Sequence, residues 1–317
     1  MRNAGSRVTI VVLTHNRAAR LRETLRRLRA LHEYPQIIVA DNASTDETVP
    51  MVEHTFPDVR IVQCGRNIGA AGRNRAVAYV DTEYVAFCDD DTWWEPGSLT
   101  RAVQALDASQ RAAVLNARIA VGETGETDPT CDIMRHSPLD VRGLPGPSLV
   151  GYMAGAAVFR TAVFRETGGY DSRLFIGGEE ELLALDVLER GYAIAYCESL
   201  TVAHHPSPAR DSALRRRMLA RNAAWIAWLR LPIGVAIVRT LNACLTFGRE
   251  RTLLRDSLTM LRGLAWALSE RKRVSPHVLS MLRTVKRHER RRASIPPVPR
   301  PHTIQPRKQG YGQSVGR

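Results

Sequence analysis

Short apolar runs that end in polar loops recur along the first two hundred residues, and this recurrence limits the fold more than any other feature. Val8–Leu13 ends at Thr14-His15-Asn16-Arg17. Ile37–Ala40 ends at Asp41-Asn42-Ala43-Ser44-Thr45-Asp46, and Tyr84–Cys88 ends at Asp89-Asp90-Asp91. Runs of this length read as strands. Between the first two lies an Arg-rich amphipathic stretch, 17–31, with Leu21, Leu25, Leu28 and Leu31 on one helical face. Val59–Gln63, Ala112–Ala120, Gly151–Thr161, Ala193–Cys197 and Leu200–Ala203 read as further strands, Asn67–Val80 as a turn and helix, and Glu179–Arg190 as a helix with an acidic first turn. Strand and helix in alternation predict an α/β fold with a doubly wound, mostly parallel sheet.

Ser44, with Glu47 three residues on, reads as a helix N-cap. Residues 122–150, rich in Gly, Pro, Thr and Asp, read as a long loop of the kind that serves as a lid. The carboxylate triplet carries the chemistry. Like charges at a strand's mouth repel, and a divalent cation is their natural complement. The carboxyl end of a parallel strand is also where α/β sheets bind ligands. The competing reading is a solvated acidic turn before a helix that starts near Pro96.

Charge divides the chain. Residues 207–317 carry 24 Lys and Arg against 5 Asp and Glu, whereas residues 1–206 carry 21 against 27. The sequence therefore suggests a unit at 1–206, a helical, basic extension at 207–290 and a Pro-, Arg-, Gln- and Gly-rich tail without order at 291–317. The five cysteines fall in no metal-ligand spacing and read as thiols of a reducing compartment. The apolar run at Val8–Leu13 is too short for a secretory signal, so a cytoplasmic location is expected.

Several ordered blocks together resemble the inverting nucleotide-sugar glycosyltransferases of family 2, whose fold is called GT-A, among them enzymes of bacterial cell-surface polysaccharides such as rhamnosyltransferases. The blocks are Val11–Arg17, Asp41–Asp46, Arg66–Asn74, Cys88–Asp91, Gly168-Gly169-Tyr170-Asp171, Gly178-Glu179-Glu180 and Val202-Ala203-His204-His205. They span about residues 8–206. The resemblance implies transfer of a sugar from a nucleotide diphosphate to a hydroxyl of a glycan or lipid-linked acceptor. It implies that Asp89 and Asp91 flank a metal-binding DXD motif for Mg²⁺ or Mn²⁺. It also implies that His204 (or His205) completes the metal shell and that the second acidic residue after the Gly-Gly turn, Glu180, is the base. The family usually has Asp at that place, so the longer Glu180 requires its loop to sit slightly farther back.

Each block has a physical reading as well. Asp41 can accept the N–H of a uracil or thymine ring, or cap a turn; a UDP or dTDP donor is therefore favoured over GDP. Thr14, Asn16, Arg17, Asn42 and Asn67 border the expected nucleoside pocket. Gly69 and its small neighbours let a ligand approach a helix N-terminus, from which Arg73 can reach a diphosphate. Asp90 is expected to face the sugar. Trp93 and Trp94 can stack on a pyranose or lie in the core, and Glu179 is an acceptor-side neighbour or a helix-dipole partner.

In the extension, Arg215, Arg216, Arg217, Arg221 and Arg230 mingle with Trp225, Trp228 and leucines, and no run is long enough to span a bilayer. Helices lying in a membrane interface at the inner face of the plasma membrane are expected; packing on the catalytic domain or on a second subunit is the alternative. No nucleic-acid-binding module accompanies the charge. A sugar nucleotidyltransferase, or an inactive relative serving membrane-bound assembly, are the competing functions. The first lacks its usual Gly-rich, basic loop after the first strand.

Overall fold

In the computed structural model, which describes residues 4–206 and 212–293, strand β1 (Val8–Thr14) lies between β2 (Gln36–Asp41) and β4 (Tyr84–Asp89), with β3 (Arg60–Gln63) outside β2. These four strands are parallel. Val8, Ile10, Val11 and Val12 of β1 are fully buried, as a strand covered on both faces requires. Helix α1 (Ala18–Arg29) covers one face with Leu21, Leu25 and Leu28, followed by Leu31. Helices α2 (Thr48–Thr55) and α3 (Gly72–Val77) complete this half.

Beyond β4 the sheet becomes mixed. After β5 (Thr92–Trp94), α4 (Ser98–Ala108), β6 (Ala112–Val121), β7 (Glu126–Thr127), α5 (Pro129–Arg135), β8 (Ser148–Leu149) and β9 (Ala157–Arg160), the chain forms α6 (Thr161–Glu166), α7 (Glu179–Glu189) and β10 (Ala193–His204). The order is β3-β2-β1-β4-β9-β6-β10-β5, and β9 runs antiparallel to both of its neighbours. The two late runs expected as separate strands are one strand, β10, whose pairing with β6 shifts between Cys197 and Thr201. The supposed loop at 122–150 holds β7, α5 and β8. Ser44 caps no helix: α2 begins at Thr48, where Asp46 accepts the Thr48 N–H at 3.0 Å.

Four helices follow: α8 (Ser212–Arg230), α9 (Ile233–Arg249), α10 (Leu253–Ser269) and α11 (Pro276–Ala293). Trp225 of α8 packs edge-on to Trp266, donates to the Met260 carbonyl at 2.8 Å and lies where a side chain at Gly263 would sit. Three bonds strap α7 to these helices: Arg239 to Glu181 at 2.8 Å, Arg230 to Asp186 at 2.6 Å, and the Ser275 N–H to Glu189 at 2.7 Å. Of the tail expected to lack order, 291–293 form the last turn of α11 and 294–317 lie outside the described residues. No helix among the described residues is long and apolar enough to cross a membrane.

Candidate active site

The register of β1 aligns the ends of its neighbours. Thr14 lies opposite Asp41, and Leu13 opposite Asp89. The order reverses at β1, so this is the crevice where an open α/β sheet binds ligands. Asp41 is buried, and its carboxylate accepts the Ser44 N–H at 3.1 Å. Asn16, at φ +53°, accepts the Thr45 N–H at 2.7 Å. Asn42 donates to the Gly69 carbonyl at 2.9 Å, and Asn67 accepts the Gly69 N–H at 3.0 Å. Gly69 has φ +63°, and a Cβ there would lie 1.9 Å from the Phe175 carbonyl oxygen, so only glycine fits. Its neighbour Ala70 donates its N–H to the same carbonyl at 2.8 Å.

The triplet divides three ways. Asp89 forms an ion pair with Arg73, which is only 3% exposed and lies over the Tyr170 ring. Arg73 is thus no solvated surface cation, although its Nε is buried without a partner among the described residues. Burial works against its charge, but Asp89 together with Tyr170, Glu180 and Glu179 outweighs it, and the pKa rises. Asp90 accepts from Thr14 Oγ1 and from Arg17, both at 3.0 Å. Burial raises Asp90 to about 6, and Arg17 opposes the rise. Asp91 accepts from Arg17 at 3.2 Å, and its other oxygen lies 3.8 Å from His204 Nε2. Arg17, expected at the nucleoside pocket, is bonded to the carboxylates of Asp90 and Asp91. His205 borders the same cleft as Asp91 but is stacked on Trp93, with its ring nitrogen 3.5 Å from Glu123.

Asp91 and His204 are an oxygen and an imidazole donor of the kind that Mg²⁺ or Mn²⁺ accepts. Asp89, turned to Arg73, does not join them. Among the described residues no group of three or more His, Cys, Asp or Glu side chains converges as a metal cage.

Trp93 and Trp94 part company because successive strand residues face opposite ways. Trp94 is fully buried and offers no face to a sugar, which corrects its reading as an acceptor platform. Trp93 lines a cleft of about 220 Å³ with Asp90, Asp91, Thr24 and Arg27. A larger cleft of about 420 Å³, between α11 and the start of β10, holds none of the expected residues.

The acidic turn stands across from the triplet. Gly177 and Gly178 have φ +87° and +92°, a backbone that side chains other than glycine rarely adopt, and α7 follows at once. Glu181 turns away to Arg239. Glu179 is buried, with one carboxylate oxygen unpartnered among the described residues. Burial raises the pKa of both Glu179 and Glu180, and Glu180 also feels the charges of Arg73 and Asp89. Two asparagines that sequence reasoning missed hold this side in place. Asn74 of α3 donates to the Tyr170 carbonyl at 2.8 Å and accepts its N–H at 3.0 Å. Asn222 of α8 is fully buried and donates to the carbonyls of Leu174 at 2.7 Å and Gly177 at 2.6 Å. Only the helical spacing of Asn222 with Trp225 and Leu229 could have flagged it as inward-facing.

This fold is that of the GT-A glycosyltransferases. Pyrobaculum calidifontis mannosyltransferase PcManGT, solved with GDP-Man and Mn²⁺, superposes with a TM-score of 0.57 at 17% identity, over 91% of this chain and 87% of its own. Staphylococcus aureus TarS 1–349, solved with UDP-GlcNAc, superposes with a TM-score of 0.54 at 15% identity, over 90% and 91%. The glycosyl transferase family 2 profile matches residues 9–168, half of the chain, and the chain belongs to that family. It is 26% identical over 245 residues to N-acetylglucosaminyl-diphospho-decaprenol L-rhamnosyltransferase of Mycobacterium tuberculosis, covering 64% of this chain and 78% of the relative. It is 29% identical over 231 residues to pre-mycofactocin glycosyltransferase of the same organism, covering 69% of this chain and 47% of that protein. The protein is a glycosyltransferase.

Proposed function

We propose that the protein moves a sugar from a nucleotide-diphosphate donor to a hydroxyl of a lipid-linked or glycan acceptor, with inversion and with a divalent cation. Residues 1–206 form the catalytic unit in this reading, and 207–290 the extension that brings it to the cytoplasmic face of the membrane. The observation that carries it is the alignment of Thr14, Asp41 and Asp89–Asp91 at one sheet edge, facing a Gly-Gly turn that presents Glu180. Likeness to a rhamnosyltransferase whose name specifies a diphospho-decaprenol acceptor favours a deoxyhexose and a polyprenyl-diphosphate-linked acceptor for this chain. Membership of family 2 removes the nucleotidyltransferase reading.

Asp41 accepts the imide N–H of a uracil or thymine base, and Thr14, Asn16, Asn42 and Asn67 shape the pocket around it. A UDP or dTDP donor suits that carboxylate. The buried Nε of Arg73, without a partner among the described residues, is the natural partner for a diphosphate oxygen. Asp91 and His204 would hold Mg²⁺ or Mn²⁺, which when bound offsets the negative charge that grows on the departing diphosphate. Asp89 keeps Arg73 in place, and Asp90 and Arg17 hold Asp91.

Glu180 accepts the proton of the acceptor hydroxyl. The oxygen attacks the anomeric carbon from the face opposite the diphosphate, the carbon–oxygen bond breaks, and its electron pair leaves with the nucleotide diphosphate. A single displacement inverts the configuration and needs no enzyme nucleophile. A base whose pKa is raised by burial is better matched to proton abstraction near neutrality than an ordinary glutamate. The test is a panel of UDP-, dTDP- and GDP-sugars, scored for donor hydrolysis and for thermal stabilisation with and without Mn²⁺. Stabilisation by none of them, in either metal condition, would overturn the proposal.

A further inference from the structure

Of the helices in the extension expected to meet the membrane, α8 is the one largely taken up by packing. Trp225, Ile226 and Leu229 of α8 are buried, and Trp228 donates to Thr240 at 3.0 Å. Leu214 and Leu219 of α8 are exposed, but most of the extension's exposed apolar residues lie on α9 and α10. On α9 they are Ile233, Ile237, Leu241 and Leu245, spaced by four, with Leu241 58% and Leu245 60% exposed. On α10 they are Leu254, Leu258, Leu261 and Leu268, with Leu254 88% exposed. Both helices pack on α8, and their buried residues, Ala236, Ala243 and Phe247 on one and Met260 and Ala267 on the other, lie on the opposite faces. A contiguous exposed apolar stripe at helical spacing marks a surface that something covers.

The charges around it identify the class of partner. Arg249, Arg251, Arg255 and Arg262 surround the α9–α10 connection and border the leucine stripe of α10, and all four are exposed. None of the four has an ion-pair partner among the described residues. The nearby acids are already taken: Glu250 pairs with Arg216 at 2.7 Å, and Asp256 with Arg217 at 3.1 Å. Leucines at a helical hairpin's tip, flanked by unneutralised arginines, fit the boundary between headgroups and acyl chains of an anionic bilayer.

We propose that the α9–α10 hairpin is the membrane-docking element, seated on anionic lipid by its leucine stripe with Arg249, Arg251, Arg255 and Arg262 at the headgroups. The proposal deepens the membrane-facing reading given above and rests on it. Because the leucines are exposed, their replacement leaves the core intact. Flotation of the full chain with phosphatidylcholine vesicles, with and without phosphatidylglycerol, tests it directly. The wild-type protein floats with the anionic vesicles and is released as salt rises. Leu254→Asp with Leu258→Asp lowers the bound fraction roughly tenfold or more. Arg255→Gln with Arg262→Gln weakens binding to anionic vesicles only. Donor hydrolysis measured on the same samples stays at the wild-type level in all variants. Flotation that survives the Leu254→Asp, Leu258→Asp change overturns the assignment. So does a wild-type dimer that the same change converts to a monomer without any flotation, because the stripe then covers a second copy. Flotation as expected without any donor hydrolysis upholds the docking surface and sinks the catalytic reading instead.

Discussion

The side-chain amide of Asn222 donates to the Gly177 carbonyl at 2.6 Å, joining a helix of the extension to the turn before Glu180. That turn has positive φ at both glycines. Asn222→Ala leaves buried carbonyls without a donor, which costs about 1–3 kcal/mol. The expected result is a lower Tm, together with a fall in kcat larger than any change in the donor's KM. Equal loss of both would mean that Asn222 supports the fold alone.

Glu180→Gln keeps the shape and removes the proton acceptor. Transfer should fall by about 10²–10⁴-fold. Donor affinity, read by calorimetry, should stay within a few-fold. Retention of most of the turnover would assign the base elsewhere.

The same residue sets the expected pH dependence. Burial raises its pKa, Asp89 raises it further, and Arg73 and Arg215 pull it down. A base works only when ionised, so kcat/KM should climb as pH rises through this raised value. The acid limb then lies above the ordinary glutamate range, and Glu180→Gln erases it. Burial of Glu179 acts on stability with the same sign. A raised folded-state pKa favours the protonated form, so the cost of ionising it appears as pH rises from the ordinary carboxylate range through the raised value. Over that interval Glu179→Gln should lose less Tm than wild type.

Asp91→Asn and His204→Ala each remove one of the two facing donors. Both should shift the Mn²⁺ concentration needed for donor-dependent thermal stabilisation upward by about tenfold or more. His205→Ala, whose ring sits on Trp93, should not. An equal shift for both histidine variants would refute the ligand assignment.

The paired tryptophans should separate cleanly. Trp94→Ala empties a fully buried site and should cost about 3–5 kcal/mol of stability. Trp93→Ala should spare Tm by comparison and act on the acceptor's KM, a difference that a melting curve and a steady-state assay resolve.

The parallel half of the sheet was legible because burial on both faces demands unbroken apolar runs, and the polar residues that end them mark the ligand edge. The order of the later strands was not. Nothing in Ala157–Arg160 announces that it slips antiparallel between β4 and β6, since periodicity reports faces and not neighbours. Thr92–Trp94 is too short to signal a strand, and its sequence pairing of two tryptophans hid their opposite fates. Asp89, Asp90 and Asp91 could be picked out as a group, but their division among Arg73, Arg17 and His204 depends on partners far away in the chain. The spacing of Asn222 with Trp225 and Leu229 marks an inward face, but the carbonyl it holds lies 45 residues away and no local pattern names it.

Helix α7 starts at the catalytic turn and is gripped along its length by Arg239, Arg230 and the Ser275 amide. Glu181, held by α9, is one residue from Glu180. The extension thus fixes the position of the helix that bears the proposed base, so a change that loosens α8 or α9 from α7 should reach Glu180, while one confined to the exposed leucines should not.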